Sequence, residues 1–267
     1  MGAGMAELIL LYLLIGGVAG LLAGLLGVGG GLVIVPFLYW AFTEQGLPID
    51  WIMHLSIGTS LATITCTSLS SVSAHHHHKA VRWDLFRLLL PGILLGGWLG
   101  GVVARQIETD TLQIFFALFE LLVAIQMGLG LRPDGEHKPV GWRGNGVAGG
   151  LIGVVSALVG IGGGTMTVPW LVWNRVVVHQ AIGTSAAVGL PIAIAGSAGF
   201  IWSGWEVEAL PRWSSGFVYW PAFAGIVVMS VLAAPLGARL AHHLPAKRLK
   251  QLFALLLLLL SVRMFVA

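Results

Sequence analysis

Long apolar runs separated by short polar breaks follow one another along the whole chain. A helix needs about 20 mainly apolar residues to cross the hydrocarbon core of a bilayer, with a range of about 17 to 25. Runs of this length lie near residues 8–27, 51–74, 88–104, 111–131, 144–160, 178–202, 217–238 and 249–266. Two further runs, 31–43 and 165–174, are too short to cross a bilayer comfortably. The pattern predicts an all-α polytopic membrane protein with ten apolar segments.

Each short run follows a cluster of glycines. The first cluster occupies residues 27–31 and reads GVGGG, and the second occupies residues 160–164 and reads GIGGG. Because glycine weakens a helix, we expect a helix to break at each cluster and to return as a hairpin at membrane depth. The sequence leaves open whether these hairpins span the bilayer fully or re-enter.

The composition agrees with a chain that is surrounded by lipid. Hydrophobic residues make up 57% of the 267 residues and charged residues only 9%, whereas about 25% charged residues is typical of a soluble domain. Ten apolar segments with short loops leave no length for a soluble catalytic module. The net charge of +3 is too small to indicate nucleic-acid binding, and we expect no cofactor.

The basic residues indicate which loops face the cytoplasm, since Lys and Arg are enriched there. If the loop 75–87 is cytoplasmic, the loops 132–143, 174–177 and 239–250 lie on the same side. These four loops hold 11 of the 14 Lys and Arg residues. We therefore expect both termini on the outer side.

The chain contains two copies of one unit. Three blocks of sequence recur in the same order, namely 27–40 with 160–173, 54–60 with 179–185, and 112–127 with 249–264. The loop 75–87 is expected inside and its counterpart 203–216 outside, so the two halves have opposite orientations. Secondary transporters have such inverted repeats, with the substrate near the midplane at interrupted helices.

The repeat also divides the chain. We predict a first transmembrane repeat over 1–131, a cytoplasmic linker over 132–143 and a second transmembrane repeat over 144–267, with about five segments in each repeat. The two glycine-broken hairpins are expected to meet near the midplane.

A glycine break at membrane depth can bind an anion. It leaves backbone N–H groups without partners unless a ligand, water or cavity satisfies them, and the next helix points its positive dipole end at the break. The repeated Gly-Thr-Ser blocks add hydroxyl donors. The predicted substrate-binding residues are Gly29, Gly30, Gly31, Leu32, Thr59, Ser60, Gly162, Gly163, Gly164, Thr165, Thr184 and Ser185. Close packing of helices through small residues is the alternative interpretation of the glycines.

Other polar residues also have both a structural and a functional interpretation. Hydroxyls recur along 51–74 at spacings of three or four residues, where they either face a cavity or bond back to their own helix. His54 and His179 stand at matching positions near the starts of two segments, and Glu120 lies near the centre of 111–131. A charge there is costly. These three are possible coupling groups, or they make structural contacts only.

The run His75 to His78 is expected to be a solvated cytoplasmic helix end, because four consecutive imidazoles on a helix point in different directions. We therefore expect no metal site. Two series of glycines at four-residue spacing are expected to pack helices together. They are Gly16, Gly20 and Gly24, and Gly92, Gly96 and Gly100.

The two GxGGG-x4-P blocks, each followed by a Gly-Thr-Ser block, resemble the sulfite exporter TauE/SafE family, also called the toluene-sulfonate uptake permeases. The resemblance covers nearly the whole chain. It implies a multi-pass transporter of sulfite, sulfonates or related organosulfur anions in the bacterial inner membrane. The shared motif residues are Gly29, Gly30, Gly31, Pro36, Gly162, Gly163, Gly164 and Pro169.

We therefore predict a secondary transporter, not an enzyme, that exports a small inorganic or organosulfur anion through the lipid bilayer. The sequence leaves a homodimer open, as well as two other functions. One is an intramembrane hydrolase that uses a serine and a histidine, although the duplication of Ser60 and Ser185 argues against a single catalytic centre. The other is a metal-ion permease that depends on the histidine run.

Overall fold

The computed structural model of the protein describes residues 5–26, 30–77, 79–130, 141–241 and 246–266. Within them lie ten α-helices, which are α1 (Met5–Leu26), α2 (Gly31–Glu44), α3 (Ile52–His77), α4 (Trp83–Ala104), α5 (Thr109–Leu129), α6 (Trp142–Val159), α7 (Gly164–Trp173), α8 (Val178–Gly204), α9 (Trp220–Ala241) and α10 (Ala246–Val266). A 3₁₀ turn (Ile49–Trp51) precedes α3, and a hairpin of β1 (Ser214–Ser215) and β2 (Val218–Tyr219) precedes α9. The ten predicted segments are confirmed as helices, and so is the all-α polytopic class.

One boundary differs from the prediction. The apolar run predicted as a helix over 217–238 starts its helix only at Trp220, because the preceding residues form the β1–β2 hairpin. Gly216 turns this hairpin with a φ of +52°, a conformation that glycine adopts readily. A short apolar run does not by itself distinguish a strand from a helix.

The helices differ in whether they can cross a bilayer. Five stretches within the described residues are long and apolar enough, namely Ile49–His77, Trp83–Ala104, Thr109–Leu129, Val178–Gly204 and Trp220–Gly237. In contrast, the 10 residues of α7 reach only about 15 Å, half of the hydrocarbon thickness of about 30 Å. The 14 residues of α2 reach about 21 Å. The helix after each glycine cluster is therefore too short to cross, as the sequence predicted.

The two halves pack through reciprocal helix pairs. In one pair α1 packs along α9, and in the other α6 packs along α4. A Cβ atom at Gly16 or Gly20 would clash with the backbone of α9, and a Cβ atom at Gly92 or Gly96 would clash with the backbone of α6. These glycines therefore bring helices into backbone contact, as expected for small residues in a membrane. The side chain position of Gly24 lies outside the described part.

Two further pairs join a helix of one half to its counterpart in the other. The helices α3 and α8 pack against each other, and so do α5 and α10. Gln113 and Ser261 link the second pair, because each side chain donates a hydrogen bond to a backbone carbonyl of the other helix. In both pairs, a helix of the first half therefore packs against the helix of the second half that carries the same repeated block.

Candidate functional site

The two glycine breaks meet in the interior. A Cβ atom at Gly31 would clash with the carbonyl oxygen of Gly160 and would lie 2.9 Å from the Cα of Ile161. Only a glycine permits this contact between the start of α2 and the end of α6. The carbonyl of Gly30, which precedes α2, accepts backbone hydrogen bonds from Val33 and Ile34. Leu32 lies in the same first turn and is buried, whereas Gly29 falls outside the described residues.

The second break is described in full. Gly160 ends α6 with a φ of +74°, and Gly163 precedes α7 with a φ of +70°. Both values favour glycine. Gly162 lies between these two glycines. A Cβ atom at Gly162 would lie 3.3 Å from the Cγ2 of Ile64 on α3 and 3.8 Å from the Cα of Gly189 on α8. The break is therefore held between the two helices that carry the Gly-Thr-Ser blocks.

The first Gly-Thr-Ser block binds the segment before α9. A Cβ atom at Gly58 would clash with the carbonyl oxygen of Phe217. Beside this contact, the Thr59 hydroxyl accepts a hydrogen bond of 3.0 Å from the backbone N–H of Tyr219. The glycine thus lets the segment approach α3, and the threonine satisfies one of its amides.

The second block makes the same contacts with the segment before α4. A Cβ atom at Gly183 would clash with the backbone of Ala80, 2.6 Å from its carbonyl oxygen. The Thr184 hydroxyl accepts a hydrogen bond of 2.9 Å from the backbone N–H of Arg82. Each threonine therefore uses an acceptor lone pair in this contact and keeps its own O–H as a donor.

Sequence reasoning did not find the segments that these blocks bind, although a signal is present. Residues 79–83 read KAVRW, and residues 216–220 read GFVYW. The first residue of each segment has a positive φ, +53° for Lys79 and +52° for Gly216. A valine and a tryptophan recur at the same offset in both, so a fourth repeated block accompanies the three that the sequence analysis found.

The two serines of these blocks differ. Ser60 donates a hydrogen bond of 2.9 Å to the carbonyl of Gly160 and so ties α3 to the second break. Ser185 is buried, and its hydroxyl has no partner among the described residues. It stands one turn before Gly189, which contacts Gly162.

Three more unpartnered hydroxyls belong to the helices that flank the second break. They are those of Ser156 on α6 and of Thr165 and Thr167 on α7. Ser156 and Thr167 are fully buried, and the sequence analysis did not identify either as a site residue. Their signal was weak, because a lone hydroxyl in an apolar helix is usually bonded to its own backbone.

The hydroxyls along α3 illustrate that ordinary case. Ser56 donates to the carbonyl of Ile52, Thr63 to that of Ser60, and Thr67 to those of Thr63 and Ile64. These hydroxyls therefore bond back to their own helix, which is the structural one of the two interpretations given above. Among the described residues, Ser60 alone in this series donates to a residue outside α3, namely Gly160.

The three possible coupling residues occupy different environments. His54 is buried, with its Nε2 2.9 Å from the carbonyl oxygen of Ala104 and its ring against Trp51 and Phe217. His179, its counterpart, is exposed. Glu120 is fully buried on α5, and neither carboxyl oxygen has a partner within the described part of the chain. The two histidines are thus not equivalent.

The histidine run ends α3. Trp83 donates a hydrogen bond from its Nε1 to the Nδ1 of His76, and His77 is exposed. His78 lies outside the described residues. Among the residues that the structure describes, no three His, Cys, Asp or Glu side chains gather closely enough to hold a metal ion.

Comparison with known proteins identifies the family. The model described as Sulfite exporter TauE/SafE matches residues 12–264. The chain belongs to this family. A probable membrane transporter protein of Haemophilus influenzae is 37% identical over 98% of this chain and 99% of its own length. The probable membrane transporter protein MJ0441 of Methanocaldococcus jannaschii is 25% identical over 90% of this chain and 89% of its own length. The probable membrane transporter protein YunE of Bacillus subtilis is 24% identical over 95% of this chain and 96% of its own length. No solved structure gives a significant match.

Membership of the TauE/SafE family makes this protein a multi-pass membrane transporter and not an enzyme. The predicted family and the prediction of a transporter that is not an enzyme are confirmed by this membership.

Proposed function

We propose that the protein exports sulfite or a related organosulfur anion across the bacterial inner membrane and binds it at the two glycine breaks. The single observation that carries this proposal is the contact of Gly31 with Gly160, which joins the breaks of the two halves in the protein interior. The family's description as sulfite exporters supports the choice of anion.

Backbone amides supply the attraction in this proposal. The helices α2 and α7 start at the breaks, and the first N–H groups of a helix have no acceptor within that helix. Together with the helix dipole they favour an anion. None of the Lys and Arg residues whose side chains the structure describes is buried, so neutral donors would hold the charge. The O–H groups of Thr59, Thr184 and Ser185 are the proposed additional donors, whereas Ser60, also predicted as one, uses its O–H on the carbonyl of Gly160.

The reciprocal packing of the halves supports alternating access through an inverted repeat. The pairs α1 with α9 and α6 with α4 exchange under the repeat, and so do the contacts of Thr59 and Thr184. In secondary transporters with inverted repeats, one unit moves against the other around a site between them. A bound anion at the joined breaks lies where such a movement changes its access.

The membrane potential favours export of an anion. Moving one charge across the membrane is worth about 2.3 kcal/mol per 100 mV. A dianion leaving a cell that is negative inside therefore gains about 4 to 5 kcal/mol at that potential. Export needs no coupling ion on this account, whereas import would have to overcome the same amount.

The test is the flux of radiolabelled sulfite from proteoliposomes with an imposed potential of either sign and no pH gradient. We expect flux that follows the potential and that is absent from empty liposomes. Gly30→Ala should reduce this flux, since it adds a methyl group immediately before α2. Folding should tolerate it, because the nearest atoms are the flexible Cδ1 of Ile34 at 3.2 Å and the carbonyl oxygen and Cβ of Ala19 at 3.4 and 3.5 Å. Gly146→Ala is the control, because nothing lies within 4 Å of its Cβ position.

Two outcomes would reject the proposal. The absence of flux for sulfite and for sulfonates from a folded wild-type protein would reject the substrate class. Equal flux in wild type and Gly30→Ala would reject the glycine site. Uptake of a divalent metal that disappears when His75 to His78 are replaced would support the metal-permease alternative instead.

A further inference from the structure

Two unpartnered hydroxyls, those of Ser156 and Thr167, lie beside Gly163. We propose that Ser156 and Thr167 bind the SO₃ group of the transported anion, and that the side chain of Ile192 closes this site. The nature of the ligand rests on the proposed function, whereas the location rests on the contacts that follow. Neither Ser156 nor Thr167 belongs to the residues predicted from the repeat.

The oxygens of Ser156 and Thr167 converge on one point. The Oγ of Ser156 lies 3.4 Å and the Oγ1 of Thr167 lies 3.5 Å from the position that a Cβ atom of Gly163 would take. The two oxygens are therefore at most 6.9 Å apart, because their separation cannot exceed the sum of their distances to this common point. Two O–H···O hydrogen bonds of about 2.7 Å each can bridge such a gap through one or two ligand oxygens.

Both side chains are unsatisfied in the interior. Ser156 and Thr167 are fully buried, and neither hydroxyl has a partner within the described residues. Buried polar groups are nearly always hydrogen-bonded, so each exception calls for an explanation. A ligand that binds here and supplies acceptors explains both at once.

The start of α7 determines the sign of the charge. The Oγ1 of Thr165 is a third unpartnered hydroxyl, on the second residue of this helix. The amides of Gly164 and Thr165 have no acceptor within the helix, and an amide N–H can only donate. Hydroxyls alone could coordinate a cation, but amides at the positive end of a helix dipole favour an anion. The hydroxyls of Ser156 and Thr167, together with these amides, are the proposed donors to the oxygens of an SO₃ group.

The first half lacks the corresponding side chains. At the offset of 133 residues that relates the glycine clusters, the counterparts of Ser156, Thr165 and Thr167 are Ala23, Leu32 and Ile34. All three are apolar and cannot donate to an anion from their side chains. The first half instead supplies Ser60, which holds the carbonyl of Gly160. The SO₃ contacts therefore come from the second half.

Ile192 occupies the point on which the hydroxyls converge. Its Cδ1 is the atom nearest to the Gly163 Cβ position, and the side chain is fully buried. Because this is the far end of a flexible side chain, a rotation about its terminal bonds exchanges a methyl group for a ligand oxygen. The site is then closed when empty and opens by this rotation of the Ile192 side chain.

The experiment measures ligand binding and stability together on the purified full-length protein. Thermal unfolding is followed with sodium sulfite, sodium methanesulfonate or sodium chloride at equal sodium concentration, and affinity comes from the dependence of Tm on ligand concentration. The variants are Ser156→Ala and Thr167→Val. The control is Ser230→Ala, because Ser230 is also buried but donates to the carbonyl of Val227 on its own helix.

We expect each site variant to bind sulfite and methanesulfonate about tenfold or more weakly, as when a hydrogen bond to a charged group is lost. Without ligand its Tm should equal or exceed that of wild type, since an unsatisfied hydroxyl has been removed. Ser230→Ala should lower Tm and leave the affinity unchanged. Ile192→Ala should strengthen binding of methanesulfonate, because the closing methyl group is removed.

The outcomes separate this proposal from the proposed function. Wild-type affinity in folded Ser156→Ala and Thr167→Val overturns the hydroxyl site, while sulfite flux in the wild type would still stand. A stabilisation by sodium chloride that equals that by sodium sulfite, and that both variants lose, would show that the site does not select an SO₃ group and would overturn the proposal. Equal loss of affinity in Ser230→Ala would assign the effect to general destabilisation.

Discussion

Replacement of Gly58 by alanine should destabilise the protein, although alanine is the better helix former. The added Cβ atom would clash with the carbonyl oxygen of Phe217 and would lie 3.3 Å from the Cβ of Phe200. Phe217 belongs to the segment before α9, and its neighbour Tyr219 donates to Thr59. One methyl group on α3 therefore acts on a contact between the two halves.

The magnitude follows from three contributions. Overpacking of an interior contact costs about 1 to 3 kcal/mol, and the upper part applies here because the obstacle is backbone. Displacing the segment weakens the hydrogen bond from Tyr219 to Thr59, at a cost of about 1 kcal/mol. The higher helix propensity of alanine stabilises the variant by up to about 1 kcal/mol. The net loss in the free energy of unfolding is about 2 to 3 kcal/mol.

The assay is equilibrium unfolding of the purified protein in mixed micelles titrated with sodium dodecyl sulfate, followed by far-ultraviolet circular dichroism. Gly146→Ala on α6 is the control, since its Cβ position has nothing within 4 Å. That variant should be neutral or more stable by up to about 1 kcal/mol. If Gly58→Ala proves as stable as Gly146→Ala, the contact between α3 and the segment before α9 does not limit stability and the reasoning is wrong.

Three other predictions concern a second contact between the halves, the topology and the coupling. Thr184→Val should lower the free energy of unfolding by about 1 kcal/mol by leaving the Arg82 amide without its acceptor, and Thr184→Ser should restore it. Cysteines at the exposed positions His77 and Glu208, each in a Cys66→Ser background, should react with an impermeant thiol reagent from opposite faces of the membrane. Labelling from one face would remove the inverted repeat. Glu120→Gln should leave sulfite export within severalfold of wild type, and complete loss of flux in a folded variant would instead indicate proton coupling.

Most of the fold could be predicted because a bilayer leaves few choices. A backbone in lipid must satisfy its own hydrogen bonds, so an apolar run of sufficient length becomes a helix. The ten runs therefore yielded ten helices within the described residues, and the short runs after the glycine clusters gave the short helices α2 and α7. The exception at residues 217–219 has a physical reason. The position of Gly216 favours a turn, and the strand that follows pairs with Ser214 and Ser215 rather than continuing as a helix.

The residues of the candidate site were harder to assign, because a hydroxyl's role depends on its neighbours in space. Thr59, Ser60 and Thr184 stood out through their repetition, yet all three make contacts within the protein, to Tyr219, Gly160 and Arg82. Sequence spacing could identify them but not their partners, which lie about 100 or more positions away. The unpartnered state of Ser156 and Thr167 depends on the packing of three helices and has no sequence pattern.

Repetition and ligand contact have different physical requirements in this protein. Two halves that pack reciprocally need equivalent groups on both sides of each contact, so the glycines and threonines that hold the halves together must occur twice. A single small anion needs only one set of donors, and these can come from either half. The counterparts of Ser156, Thr165 and Thr167 are Ala23, Leu32 and Ile34, so the difference in polarity is visible in the sequence. In an inverted repeat, positions near a glycine break that are polar in one half and apolar in the other therefore indicate the ligand-binding residues better than the repeated positions do.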